Sequence, residues 1–177
     1  IPILYVTHTR DEVDALGERV VVLDRGRVIS EGRPHEVLAA PRHKRLAQAA
    51  GFENLLDATV MELREADGVM RVRLAESASE IEVPLGYAAP NDQVKIAIRA
   101  GDILLATQPP VGLSARNVLE GKIVSLDTRG TLVAARVQAG VMFTAHVTPG
   151  AARALELTAG KPVWIVLKTH SCHLVSD

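Results

Sequence analysis

Apolar and polar positions change their rhythm near Gly51. Before it, Ile3-Leu4-Tyr5-Val6 predicts a short buried strand, and Val20-Val21-Val22-Leu23 a second one. Thr9 and Glu12 have the spacing of a capping box, so a helix is predicted from Thr9, with Val13 and Leu16 apolar. Asp24-Arg25-Gly26 supplies a turn, and Arg27-Val28-Ile29-Ser30 returns as the hairpin partner. Pro34 suits the first turn of a helix running to Ala40, and the alanine-rich stretch from Arg42 to Ala50 also reads as helical. Strand, helix, hairpin and helix give this part an α/β character.

Beyond Gly51 the pattern is that of strands, at residues 60–63, 69–74, 81–85 and 94–98. Asp67-Gly68, residues 76–79 and Pro90-Asn91-Asp92 separate them with turn chemistry, the mark of an all-β sandwich or barrel. An internal repeat follows. Asn54-Leu55-Leu56-Asp57-Ala58-Thr59-Val60 aligns with Asn117-Val118-Leu119-Glu120-Gly121-Lys122-Ile123, and Val94 to Arg99 aligns with Val163 to Lys168. The offset grows from 63 to 69 residues, as a longer loop in the second copy would require. The expected organisation is a segment of residues 1–50 and a β-rich domain of residues 51–177. That domain divides into tandem repeats at about 52–108 and 113–177, each a partly open barrel of about five strands.

Composition narrows the function. The chain has 177 residues, 47% of them hydrophobic and 23% charged, and its formal net charge is −1. Nucleic-acid and anionic-membrane binders carry an excess of basic groups, which is lacking here. Only 3% of residues are aromatic, so an oligonucleotide-binding barrel has no stacking platform. One cysteine, Cys172, excludes an internal disulfide framework. His170, Cys172 and His173 suggest a metal, but along a strand His173 points away from the other two, so no metal site is expected. The chain opens at Ile1 inside an apolar run and reads as a fragment.

Tyr5-Val6-Thr7-His8, then Val20 to Val28, then Gly32-Arg33-Pro34 resemble the end of an ATP-binding-cassette ATPase domain. The resemblance implies that His8 is the switch-loop histidine, which contacts the γ-phosphate in the full-length family. An imidazole N–H beside a helix start is suited to a phosphate oxygen. The phosphate loop, the signature motif and the Asp-Glu strand end do not occur in these residues, so this chain alone is expected not to hydrolyse ATP.

Ser114-Ala115-Arg116-Asn117-Val118-Leu119-Glu120-Gly121 resembles the opening motif of the Mop-like molybdate-binding fold, S-A-R-N-x-L-x-G, at every fixed position. Val163 to Thr169 resembles its closing strand. The family calls this region a TOBE domain where it follows a transporter ATPase, so the chain resembles the C-terminal part of a bacterial molybdate importer's ATPase subunit. The fold implied is mostly β, two tandem OB-like or Mop-like barrels behind a short α/β segment. The ligand implied is molybdate or tungstate, with ATP and magnesium belonging to the full-length subunit only.

A tetrahedral dianion needs many donors and few acceptors. Ser114 and Thr169 offer hydroxyls, Arg116 a planar fork and Lys168 a point charge. Ala115 and Asn117 are backbone or structural contributors, and for His170 two roles stay open, narrowing the site or donating to the anion as a substitute. The first copy has Phe52-Glu53-Asn54 where the second has Ala115-Arg116-Asn117, and Arg99-Ala100 where it has Lys168-Thr169. The first is therefore expected to be scaffold and the second to carry the anion. The resemblance further implies a homodimer with the anion between subunits, membrane permease partners, and a peripheral place on the cytoplasmic face of the inner membrane. Two other readings stay open: a regulatory domain of another importer, for a sugar or other anion, acting through protein contacts, and a molybdate storage protein.

Overall fold

Strand faces follow the alternation of the sequence. β4 (Val69–Leu74) buries Met70, Val72 and Leu74, and β9 (Leu132–Ala139) buries Val133, Ala135, Val137 and Ala139, with more exposed residues between. The computed structural model describes residues 3–7, 10–24, 26–34, 37, 47 and 50–175. In chain order it has α1 (Arg10–Leu16), the hairpin β1 (Val20–Asp24) and β2 (Arg27–Gly32), then β3 (Asn54–Arg64), β4, β5 (Glu80–Pro84), β6 (Gln93–Ile98) and β7 (Leu104–Ala106). β8 (Asn117–Arg129), β9, β10 (Val141–Val147), α2 (Pro149–Ala154), β11 (Pro162–Leu167) and β12 (His173–Val175) follow. The chain is mostly β.

Beyond the hairpin the strands form two five-stranded antiparallel sheets, ordered β12-β6-β3-β4-β5 and β10-β9-β8-β11-β7. Each contains four strands of one repeat and the last strand of the other. β12 pairs with β6 through Leu174 opposite Ile96, and β7 pairs with β11 through Leu105 opposite Ile165. One apolar core lies under both sheets, joining Val60, Met70, Val72, Ile81, Ile96 and Ile98 to Ile123, Val137, Phe143, Ile165 and Leu167.

The repeat is visible in irregularities as much as in strands. The β3–β4 register shifts between Val60 and Glu62, and the β8–β9 register between Ile123 and Ser125, so both long strands are bulged at equivalent positions. Val60 N–H donates to Asp92 O at 2.9 Å, and Val60 O accepts from Asn91 N–H at 2.8 Å. Ile123 does the same with Lys161 at 3.0 Å and Gly160 at 2.8 Å. Asn91 and Gly160 are both left-handed, at φ 75° and 89°. The growing offset is explained by α2, which the second copy inserts between β10 and β11. Thr148 caps it by accepting from Ala151 N–H at 3.1 Å.

The N-terminal part differs from its sequence reading in one place. Residues 3–6 form no strand, and Ile3, Leu4 and Val6 are exposed. An apolar run becomes a buried strand only beside other strands, and the hairpin β1–β2 pairs only within itself. His8, Thr9 and most of the helix expected up to Ala50 lie outside the described residues. Val37, Ala47 and Ala50 pack with Phe52, Ala97 and Val175, which attaches this segment to the sheet of β3 and β6.

Candidate functional site

β8 and β11 run antiparallel, and their last partnered residues at one end are Asn117 and Leu167. Ser114-Ala115-Arg116 therefore leads into that end along one strand, and Lys168-Thr169 leaves it along the other. Ser114, Arg116, Lys168 and His170 are exposed, Ala115 is half-buried and Thr169 is buried. Lys168 is extended, at φ −74° and ψ 144°, and Thr169–Ser171 turn as one 3-10 turn. Lys168 O accepts from Ser171 N–H at 3.0 Å and Thr169 O from Cys172 N–H at 3.1 Å. The turn thus holds its own carbonyls inward.

The Arg116 guanidinium has its Nε 3.6 Å from Glu82 Oε1, with 66% of the side chain exposed. Of its five N–H donors this leaves most facing outward. Asn117 has another task. It is 3% exposed, its Oδ1 accepts from Glu82 N–H at 2.6 Å, and its Nδ2 donates to Glu82 O at 2.8 Å. Its amide therefore ties β8 to β5, the edge of the other sheet. Asn54 mirrors it: Thr144 N–H donates to its Oδ1 at 2.6 Å and its Nδ2 donates to Thr144 O at 2.9 Å, tying β3 to β10. Both amides are consumed in clamping the sheets together, a role that the repeated Asn signals only in retrospect.

Gly121, the last fixed position of the motif, has a steric reason. A Cβ there would lie 2.8 Å from Gln138 O and 2.9 Å from the Ala139 Cβ. Cys172 is buried, and its thiol is pushed up to about 12, by burial first and by Asp102 second, so it is an inert packing residue. His173 meets the Phe52 ring edge-on at 5.1 Å, far from any metal-like grouping. Burial lowers its pKa, and Arg99 lowers it further against an opposing effect of Asp102. Among the described residues no three His, Cys, Asp or Glu side chains converge on a metal position. A surface groove of about 450 Å³ between Asp57, Tyr87, Gln93, Lys95 and Leu174 shares no residue with the strand end of Arg116 and Lys168.

The equivalent strand end of the first repeat is built from Asn54 and Ile98 as last partners. Here Glu53 Oε2 accepts from Ala100 N–H at 2.8 Å, and its Oε1 lies 3.9 Å from His146 Nδ1. Arg99 stacks over the Phe52 ring, 4.4 Å from its centroid. The backbone is the same and the chemistry is inverted.

Comparison with known proteins gives consistent matches. The TOBE domain family model matches residues 113–174. The molybdenum import ATP-binding protein ModC of Rhizobium meliloti is 37% identical over 171 residues, covering 96% of this chain and 47% of that protein. ModC of Photorhabdus laumondii is 32% identical over 174 residues, covering 98% and 49%. The molybdate/tungstate import ATP-binding protein WtpC of Pyrococcus abyssi is 31% identical over 168 residues, covering 94% and 45%. The chain spans about half the length of the curated relatives it matches. Among solved structures, the cytoplasmic molybdate-binding protein ModG in a molybdate-bound form superposes with TM-score 0.59 at 23% identity, covering 69% of this chain and 94% of that one. That likeness establishes a shared fold. No helix among the described residues is long and apolar enough to cross a membrane.

Proposed function

From a chain that carries a TOBE domain and is related, over nearly its whole length, to the C-terminal part of molybdate-import ATP-binding proteins, we propose that residues 51–177 are a regulatory domain binding molybdate or tungstate. The observation that carries this reading is the partnering of Asn117 with Leu167, from which Ser114-Ala115-Arg116 and Lys168-Thr169 diverge side by side. Arg116 and Lys168 bring the positive charge, Ser114 and Thr169 the hydroxyls, and the backbone beside Ala115 further N–H donors. Each hydrogen bond to a charged group contributes about 1.5–3 kcal/mol, so several together offset the desolvation of a dianion. Asn117 contributes by fixing the strand end, and His170, exposed beside the turn, is the remaining donor.

The site is completed by a second copy of the chain. Val118, Val166 and Leu104 are direct neighbours across β8, β11 and β7, and Val118 and Leu104 stand exposed beside the anion donors. An apolar row next to a charged cluster suits a homodimer whose seam excludes water from the anion. In the full-length subunit, residues 1–50 would close an ATP-binding cassette with His8 at the γ-phosphate, and magnesium-dependent ATP hydrolysis would drive uptake through a membrane permease. The subunit would sit peripherally on the cytoplasmic face. Bound anion then stabilises the dimer arrangement in which it fits, restraining transport when the ion is plentiful.

Calorimetric titration of the chain with molybdate, tungstate, sulfate and phosphate tests the reading. Saturable binding of molybdate and tungstate, with sulfate and phosphate much weaker, is the expected result. No heat from molybdate would return the domain to a role in protein contacts alone.

A further inference from the structure

The first repeat ends in the same backbone arrangement as the second, yet it carries its own anion. Asn54 partners Ile98 as Asn117 partners Leu167. Arg99 is extended at φ −76° and ψ 138°, like Lys168, and Ala100–Asp102 turn as Thr169–Ser171 do. The Ala100 N–H is thus the counterpart of the Thr169 N–H. On it sits the Glu53 carboxylate, at 2.8 Å, with its other oxygen 3.9 Å from His146 Nδ1. The residue in the place of Glu53 in the second repeat is Arg116, which has donors only and cannot accept that bond. One copy therefore supplies a negative oxygen to this N–H from its own chain, and the other supplies a cation and leaves the negative partner to come from outside.

We infer that Glu53 is a built-in substitute for the oxyanion: it fills in the first repeat the place that the bound ion takes in the second, and so limits the chain to one anion site. This inference rests on the oxyanion reading of the second repeat and deepens it. A carboxylate and a molybdate share the chemistry that matters, negative oxygen atoms accepting from backbone N–H and nearby cationic groups. Glu53 is held on the chain, so no free ion reaches its local concentration. It also repels a dianion approaching the same groups.

Amide resonances of Ala100 and Thr169 in the nitrogen-15-labelled chain separate the two ideas. In the unaltered protein, sodium molybdate is expected to shift Thr169 and leave Ala100 in place. In Glu53→Ala, Ala100 is expected to move upfield before any ligand is added. Molybdate then returns it downfield, with a second saturable step in calorimetry. Glu53→Gln, which keeps the shape and removes the charge, gives the same direction of shift if the alanine variant does not fold. Ala100 staying silent in the variants while Thr169 saturates would overturn the inference. Thr169 staying silent in the unaltered protein would overturn the oxyanion reading of the second repeat and, with it, the inference that rests on it. Silence at both would remove both.

Discussion

In the first repeat Phe52-Glu53 stands opposite Arg99-Ala100; in the second, Ala115-Arg116 stands opposite Lys168-Thr169. Around these residues the two copies agree in register, bulge, turn and clamp. Their shape is set by an apolar core common to both sheets and by the amides of Asn54 and Asn117, two features that both copies share. The strand ends are therefore free to diverge in chemistry without a change of fold. Phe52 has turned toward packing, beneath Arg99 and against His173. Arg116 has stayed exposed, with a long contact to Glu82.

If the clamps define the shared skeleton, breaking either should be the most costly change. Asn117→Leu and Asn54→Leu each leave a part-buried N–H and C=O unsatisfied, at about 1–3 kcal/mol apiece, so each is expected to cost about 2–6 kcal/mol in urea unfolding. A large loss in one and none in the other would dissolve the equivalence. Next is the charge difference. Arg116→Ala is expected to weaken molybdate binding by about 1.5–3 kcal/mol, roughly tenfold to over a hundredfold, while Arg99→Ala leaves the affinity unchanged in the same calorimetric titration.

A smaller effect is expected at Gly121, whose counterpart is the fully buried Ala58. Gly121→Ala should destabilise by about 1–3 kcal/mol through contact with Gln138 O, while Ala58→Gly costs about 1 kcal/mol from chain entropy and lost packing. Equal effects of the two swaps in urea would show that the copies approach their neighbours equally closely.

The smallest expected effect is a pH dependence carried by β12 alone. His173 occupies the place that Leu104 has on β7 and binds its proton less readily folded than unfolded, chiefly because it is buried. A depressed histidine pKa means that the unfolded chain takes up more protons, so stability present above the ordinary value of 6.5 is lost as pH falls. Urea midpoints measured between about pH 7.5 and about pH 5.5 should fall for the native chain and fall less for His173→Leu.

Much of this fold was legible because it depends on local alternation. Residues 69–74 and 94–98 read as strands and are strands, and the two aligned anchors have matching registers. The exchange of β7 and β12 was not legible. Each is three residues long, and periodicity says which face a residue takes but not which sheet its strand joins. The helix α2 was hidden within a length difference, although Thr148-Pro149 is a readable start. At the strand ends, sequence gave the donor types of Ser114, Arg116, Lys168 and Thr169. It could not give Glu82 as the neighbour of Arg116, because β5 meets β8 only through the tertiary clamp. Glu53 was legible as a charge reversal, while its grip on the Ala100 N–H depends on how the turn after β6 closes.

The crossing of β7 and β12 also bears on what a cut would do. A nick between residues 107 and 112 would leave each piece with four strands of its own and a fifth lent to the other piece, so the pieces should stay interlocked without a peptide bond between them. Neither piece contains a complete five-stranded sheet, so expressed singly each would present an unfilled groove to whatever extended chain it met. Intact, the molecule spends both loans internally, and the tandem duplication behaves as one inseparable body.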